Sequence, residues 1–176
     1  MTFPGVASNV CTMLEYQLNR APVHSRAVSS WAPLVLRLIV GYGFIAHGVA
    51  KLMRGPNAFA IVLSALGVPA PHLMAWVTIL TELIGGVAIL LGAFVVWASL
   101  PMAAVLVVAI FTVHLPYGFS SIKLIAVTPT GARFGPVGYE TNLLYLACLA
   151  SLVLTGPGPL AVSNLLRPSN TVHSEP

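Results

Sequence analysis

Residues 36–52 read LRLIVGYGFIAHGVAKL. The run is apolar enough for a membrane span, yet it carries Arg37, His47 and Lys51. Hydrocarbon rejects such groups unless they face an interior or a partner. At about 100° per residue, Arg37, Gly41, Phe44, Gly48 and Lys51 fall within a stripe roughly 80° wide, and His47 lies about 40° beyond Lys51. Charges and small residues thus share one side of the helix. Glycines let a second helix approach closely, so this side is predicted to face inward.

The whole chain has the same character. Of its 176 residues, 57% are hydrophobic and only 7% are charged. A soluble domain carries about 25% charged residues. The class is therefore an integral membrane protein of one domain. The net charge of +4 comes from eight scattered basic residues, which excludes the clustered footprint of a nucleic-acid binder. Loops beside anionic lipid account for it better. Cys11 and Cys148 have no metal-site or CxxC spacing, and no metal centre is predicted. There is no aspartate, no phosphate-cradling glycine loop and no nucleophile elbow, so a self-contained catalytic site of the soluble type is not expected.

Four segments approach the roughly 20 apolar residues of a span: 33–53, 72–91, 94–114 and the shorter 139–155. The last stops at GPGP, residues 156–159, which cannot continue a helix. The predicted fold is all-α: an integral membrane four-helix bundle of four antiparallel, up-down transmembrane helices. LGAF at 91–94 reads as a tight turn, and Pro101 is predicted to kink the third span. The apolar patch 59–66 is too short to cross and reads as an interfacial or re-entrant helix. Residues 115–140, rich in proline, glycine and aromatics, read as one long loop of a kind that is functional or disordered. The domain is assigned to 31–160, between a flexible N-terminal tail (1–30) and a short polar C-terminal tail (161–176). Residues 1–30 lack the apolar core of a signal peptide, although a short interfacial helix near 13–18 is an alternative. Basic residues divide evenly between the two sides. Long loops weigh less in setting orientation, so the termini are predicted to be cytoplasmic.

The basic face needs an acid. The chain has four: Glu15, Glu82, Glu140 and Glu175. Glu82 alone lies deep in an apolar run, WVTILTELIGGVAILLG, with Gly85 and Gly86 just after it. If the first two spans share a midplane, Glu82 lies level with about Gly43. Arg37 is then about 9 Å away along the axis and His47 about 6 Å. Glu82 is predicted to pair with Arg37, His47 or both, as an intramembrane polar pair or pocket. Lys51, His114 and Glu140 form a predicted second cluster at the long-loop mouth. Gly41, Gly48, Gly85 and Gly86 are predicted packing positions. The plainer alternatives stay open: a buried pair that only sets helix register, and a Lys51 that snorkels to headgroups beside Arg54.

The order of these pieces resembles the DoxX family of small bacterial membrane proteins. The resemblance covers residues 31–166. It rests on an arginine with glycines in the first span, a lysine at its end, a glutamate with paired glycines in the second, and a GPG-ended fourth. The matching positions are Arg37, Gly41, Gly48, Lys51, Glu82, Gly85, Gly86 and Glu140. The resemblance implies a multi-pass protein of the bacterial inner membrane. It also implies an accessory role in a quinone-linked or thiol and oxidative-stress redox complex, rather than an enzyme acting alone. Quinone is then the expected lipid-soluble cofactor, and the expected partners are the bilayer and membrane or periplasmic redox proteins. The glycine-rich faces leave room for an oligomer. Two alternatives remain: an assembly module without chemistry, and a small-solute or proton-coupled transporter. Few spans and no internal repeat weigh against the transporter.

Overall fold

Proline opens three of the helices, where its missing N–H has no helical partner to lose. In the computed structural model, which describes residues 30–165, Pro33 starts α1 (Ala32–Arg54), Pro56 starts α2 (Pro56–Ala65) and Pro71 starts α3 (Pro71–Leu91). The expected N-terminal tail and most of the expected C-terminal one lie outside the described residues. Gly55 separates α1 from α2 at φ 95°, a conformation that side chains other than glycine's rarely tolerate. Gly92 and Phe94, at φ 67° and 50°, make the tight turn expected at LGAF. It leads into α4 (Val95–Ala109), which runs through Pro101. Regular α geometry gives way later, in a π turn at Ile110–His114 and a 3₁₀ turn at Leu115–Tyr117.

Among the described residues, three helical segments are long and apolar enough to cross a membrane: Ala32–Arg54, Pro71–Leu91 and Val95–Tyr117. The fourth, α5 (Glu140–Thr155), has 16 residues. That is about 24 Å at 1.5 Å per residue, short of the roughly 30 Å of a hydrocarbon core. A short α6 (Val162–Leu165) follows.

The all-α expectation needs correction. Within the predicted loop, β1 (Leu124–Thr128) pairs antiparallel with β2 (Gly131–Phe134), Leu124 opposite Phe134 and Thr128 opposite Gly131. The sequence LIAVT-PT-GARF carries the signals of a short hairpin: β-branched residues, then a Pro-Thr-Gly turn. The strands are only five and four residues long, too short for a period of two to stand out. Thr128 Oγ1 donates to the Gly131 carbonyl at 2.8 Å and closes the turn.

One apolar core draws on four helices: Val40 and Phe44 of α1, Ile89 of α3, Val95, Met102 and Leu106 of α4, and Leu149 and Leu152 of α5. Phe44 meets Tyr145 edge to face, ring centroids 5.6 Å apart. A smaller cluster of Ala60, Leu63 and Ala75 seats α2 on the start of α3. The α1–α3 contact is backbone on backbone. A Cβ on Gly41 would lie 2.8 Å from the Gly86 carbonyl oxygen, and one on Gly86 would lie 2.9 Å from that of Gly41. Gly85, one position earlier, faces α4 instead, where a Cβ would lie 2.7 Å from Met102 Sδ. The paired glycines therefore serve two different neighbours.

Backbone cannot yield as a side chain can. Gly86→Val is expected to lower the unfolding temperature in mild detergent by several degrees, in line with the ~1–3 kcal/mol cost of overpacking a core. Ala104→Val, on an exposed face of α4, is expected to change it little. Thermal unfolding of the two variants side by side checks this.

Candidate functional site

The glycine contact sets the register of the polar groups. Gly41 sits against Gly86, and Gly48 against Leu83 and Glu82, where a Cβ would lie 3.2 Å from Glu82 Cβ. Glu82 therefore lies level with Ile45–Gly48, not Gly43. The shift is about 3–7.5 Å toward the long-loop side. The expected common midplane fails because the glycine contacts stagger the two helices.

At this depth the carboxylate meets Lys51, which lies one turn beyond Gly48. Lys51 Nζ forms an ion pair with Glu82 Oε1. The Glu82 side chain is 5% exposed and that of Lys51 25%. Lys51 Nζ also lies over the Phe59 ring of α2, 5.2 Å from its centroid, within cation–π range. Glu82 Oε2 is buried and has no hydrogen-bond partner among the described residues. An ionised carboxylate oxygen in such surroundings is costly unless a donor or a proton meets it. The pair is thus partnered on one oxygen and unpartnered on the other, buried one.

Arg37 does not take part. Its guanidinium, 1% exposed, is turned toward the opposite end of α3. Nη1 donates to the Pro157 carbonyl at 2.7 Å and to that of Pro159 at 3.3 Å, and Nη2 donates to Leu160 at 3.4 Å. These carbonyls belong to the GPGP break, where the backbone leaves the helix and loses its own donors. Backbone carbonyls buried away from water need a donor. Arg37 supplies it here, and it holds Leu160 at φ 54°, strained for a residue with a Cβ. Ser163 Oγ adds a bond to the Gly92 carbonyl at 2.6 Å, and Asn164 Nδ2 one to Gly158 at 2.8 Å. The surface hollows at this end are lined by residues such as Pro33, Thr155 and Gly158, with neither Lys51 nor Glu82 among them.

The other expected residues separate as well. His47 is exposed and pairs with neither Glu82 nor Lys51. His114 and Glu140 do not join Lys51; each secures the base of the hairpin. His114 Nδ1 donates to the Val137 carbonyl at 2.9 Å, and Glu140 Oε2 accepts the Ser121 amide at 2.9 Å. Ser121 Oγ meets Thr141 Oγ1 at 2.8 Å. Of the two expected clusters, one residue from each, Glu82 and Lys51, forms the pair. Among the described residues, no group of three or more His, Cys, Asp or Glu is placed to hold a metal ion. The expectation missed Phe59, whose place over Lys51 follows from α2 folding back, and the carbonyls of 157–160, which have no side-chain signature. Gly43 was also missed, although GYG at 41–43 hinted at it. It admits the Tyr145 hydroxyl where a Cβ would stand.

Two outcomes follow. Lys51→Met leaves a buried carboxylate alone and is expected to cost about 3–5 kcal/mol, whereas Lys51→Met/Glu82→Leu regains most of that loss. Denaturant unfolding of both in the same detergent reads the difference. Arg37→Met removes charge-assisted bonds worth about 1.5–3 kcal/mol each, so proteinase K is expected to cut within 156–165 at least tenfold faster than in the unmodified protein.

A family model described as DoxX matches residues 32–115. That range holds α1 to α4 and includes Arg37, Lys51 and Glu82. The hairpin and α5 lie beyond it. An uncharacterised protein of Haemophilus influenzae is 30% identical over 131 residues, which are 73% of this chain and 86% of that protein. No solved structure matches the chain.

Proposed function

The chain belongs to the DoxX family, and we propose that it acts as an accessory subunit of a quinone-linked redox complex in the bacterial inner membrane. In this reading α5 makes the fourth crossing. Its 16 residues are too few alone, and the non-helical chain that follows, a bend and a turn over 157–160, adds to its depth, with Arg37 satisfying the carbonyls of Pro157, Pro159 and Leu160. Both termini then lie on the cytoplasmic side.

One observation carries the functional reading: the unpartnered, buried Oε2 of Glu82 beside a partly accessible Lys51. The groups suit a quinone headgroup. Lys51 Nζ donates to a ring carbonyl, Glu82 Oε2 accepts from the hydroxyl of the reduced ring, and Phe59 offers an aromatic wall. Lys51 and Glu82 orient the ring and exchange its protons with the site, while the electrons come from the partner protein. Glu82→Gln keeps size and shape but removes the base. It is expected to reduce quinone-coupled turnover of the native membrane complex at least tenfold, with the amount of assembled complex unchanged. Normal turnover would rule the site out.

A second reading is favoured by the wholly structural use of Arg37: the chain is an assembly module, and the Lys51–Glu82 pair only sets register. Lys51→Met/Glu82→Leu separates the two. Full redox activity in the assembled complex supports the module, and lost activity with assembly intact supports the quinone site.

A further inference from the structure

The β1–β2 hairpin is clothed in apolar side chains that none of the other described residues covers. Ile122, Leu124, Ile125, Val127 and Phe134 are 75%, 58%, 69%, 75% and 61% exposed. A lone two-stranded ribbon is at best marginally stable in water, and a contiguous apolar patch of this kind marks a contact surface. The register sorts its faces. Val127 with Ala132, and Leu124 with Phe134, are opposite pairs on one face. Ala126 with Arg133, and Thr128 with Gly131, are opposite pairs on the other. The irregularity between Leu124 and Ala126 leaves Ile125 as the extra residue. One face is thus wholly apolar, and the other carries the arginine.

The position of the hairpin indicates what covers that face. It leaves the third apolar span at Tyr117 and re-enters helix at Glu140. Its base is tied there by the His114, Ser121 and Glu140 bonds, so it cannot stand far from the end of the span. The exposed apolar surface is continuous along the chain from Phe111 and Leu115 of the span, through Tyr117 and Phe119, into the strands. Phe119 and Tyr139 stack edge to face at 5.7 Å, aromatic rings of the kind that collect where membrane meets water. Residues 115–139 hold Lys123 and Arg133 and no acid, which suits an anionic surface.

We propose that the hairpin is a membrane-surface element. Its Leu124–Val127–Ala132–Phe134 face rests at the acyl boundary of the bilayer from which α4 emerges. Arg133 and Lys123 engage anionic lipid headgroups. The ribbon thereby does for this protein what an interfacial amphipathic helix does elsewhere, with a period of two in place of 3.6.

The test uses the full chain carrying Cys11→Ser and Cys148→Ala, reconstituted in vesicles of phosphatidylcholine and phosphatidylglycerol at two to one. A nitroxide is placed at Val127→Cys or, on the opposite face, at Ala126→Cys. Electron paramagnetic resonance saturation then compares access to oxygen with access to a water-soluble nickel chelate. The expected result is a Val127 label reached by oxygen and shielded from the chelate, with the ratio reversed at Ala126. Equal and high chelate access at both sites would place the hairpin in water and overturn the proposal. Protection of the Val127 label from both reagents would also overturn it, since that means cover by protein. Lys123→Gln/Arg133→Gln is expected to make the Val127 label shallower in these vesicles, and an unchanged depth would refute the headgroup contacts.

Discussion

The backbone contact between Gly41 of α1 and Gly86 of α3 is the constraint on which the arrangement depends. Each glycine meets the carbonyl of the other, with the Leu90 and Ile45 side chains packed alongside, so the helices can meet in only a narrow range of registers. Between membrane helices, where lipid is as apolar as the side chains, such close packing supplies much of the association. The contact also decides which polar groups meet. It sets Glu82 beside Gly48, which puts the carboxylate within reach of Lys51 and out of reach of Arg37. At the other end it sets Gly92 against the Arg37 guanidinium, which is thereby aimed at the GPGP break.

The scarce charges consequently have separate tasks. Arg37 is a structural cation. Its acceptors are carbonyls rather than a carboxylate, and it satisfies the non-helical backbone that follows α5. A planar guanidinium suits this role, because its fixed fork reaches three carbonyls at once. The Lys51–Glu82 pair differs in kind. It is buried on the acid side, partly open on the amine side, and one oxygen is unsatisfied. A buried ion pair is by itself weak evidence of stability, because desolvation offsets much of the attraction. What sets it apart from Arg37, whose Nε is also buried without a partner among the described residues, is that the unpartnered atom is a carboxylate oxygen beside a partly exposed amine. Glu140 and His114 do neither job, and hold the foot of the hairpin.

Much of this was legible in the sequence. The inward side of α1 followed from the spacing of Arg37, Gly41, Gly48 and Lys51, and Glu82 stood out as the only acid in an apolar run. The pairing was misjudged for one reason: the spans were aligned at their midpoints. Nothing in the sequence reveals helix stagger, which here comes from glycine-on-glycine contact. The cradle around Arg37 was invisible for a different reason, being built of backbone carbonyls in residues 157–160. The hairpin escaped because its strands are short and because an apolar ribbon next to a span looks like loop until its register is known. The short fourth helix was anticipated by the position of GPGP.

The central claim is that the Glu82 carboxyl, held by Lys51, meets a quinone headgroup. Infrared difference spectroscopy of the reconstituted protein, before and after addition of decylubiquinone, tests it most directly. The expected result is a carboxyl band that changes on quinone addition, shifts in Lys51→Met and disappears in Glu82→Gln. Identical difference spectra for the unmodified protein and Glu82→Gln would contradict it.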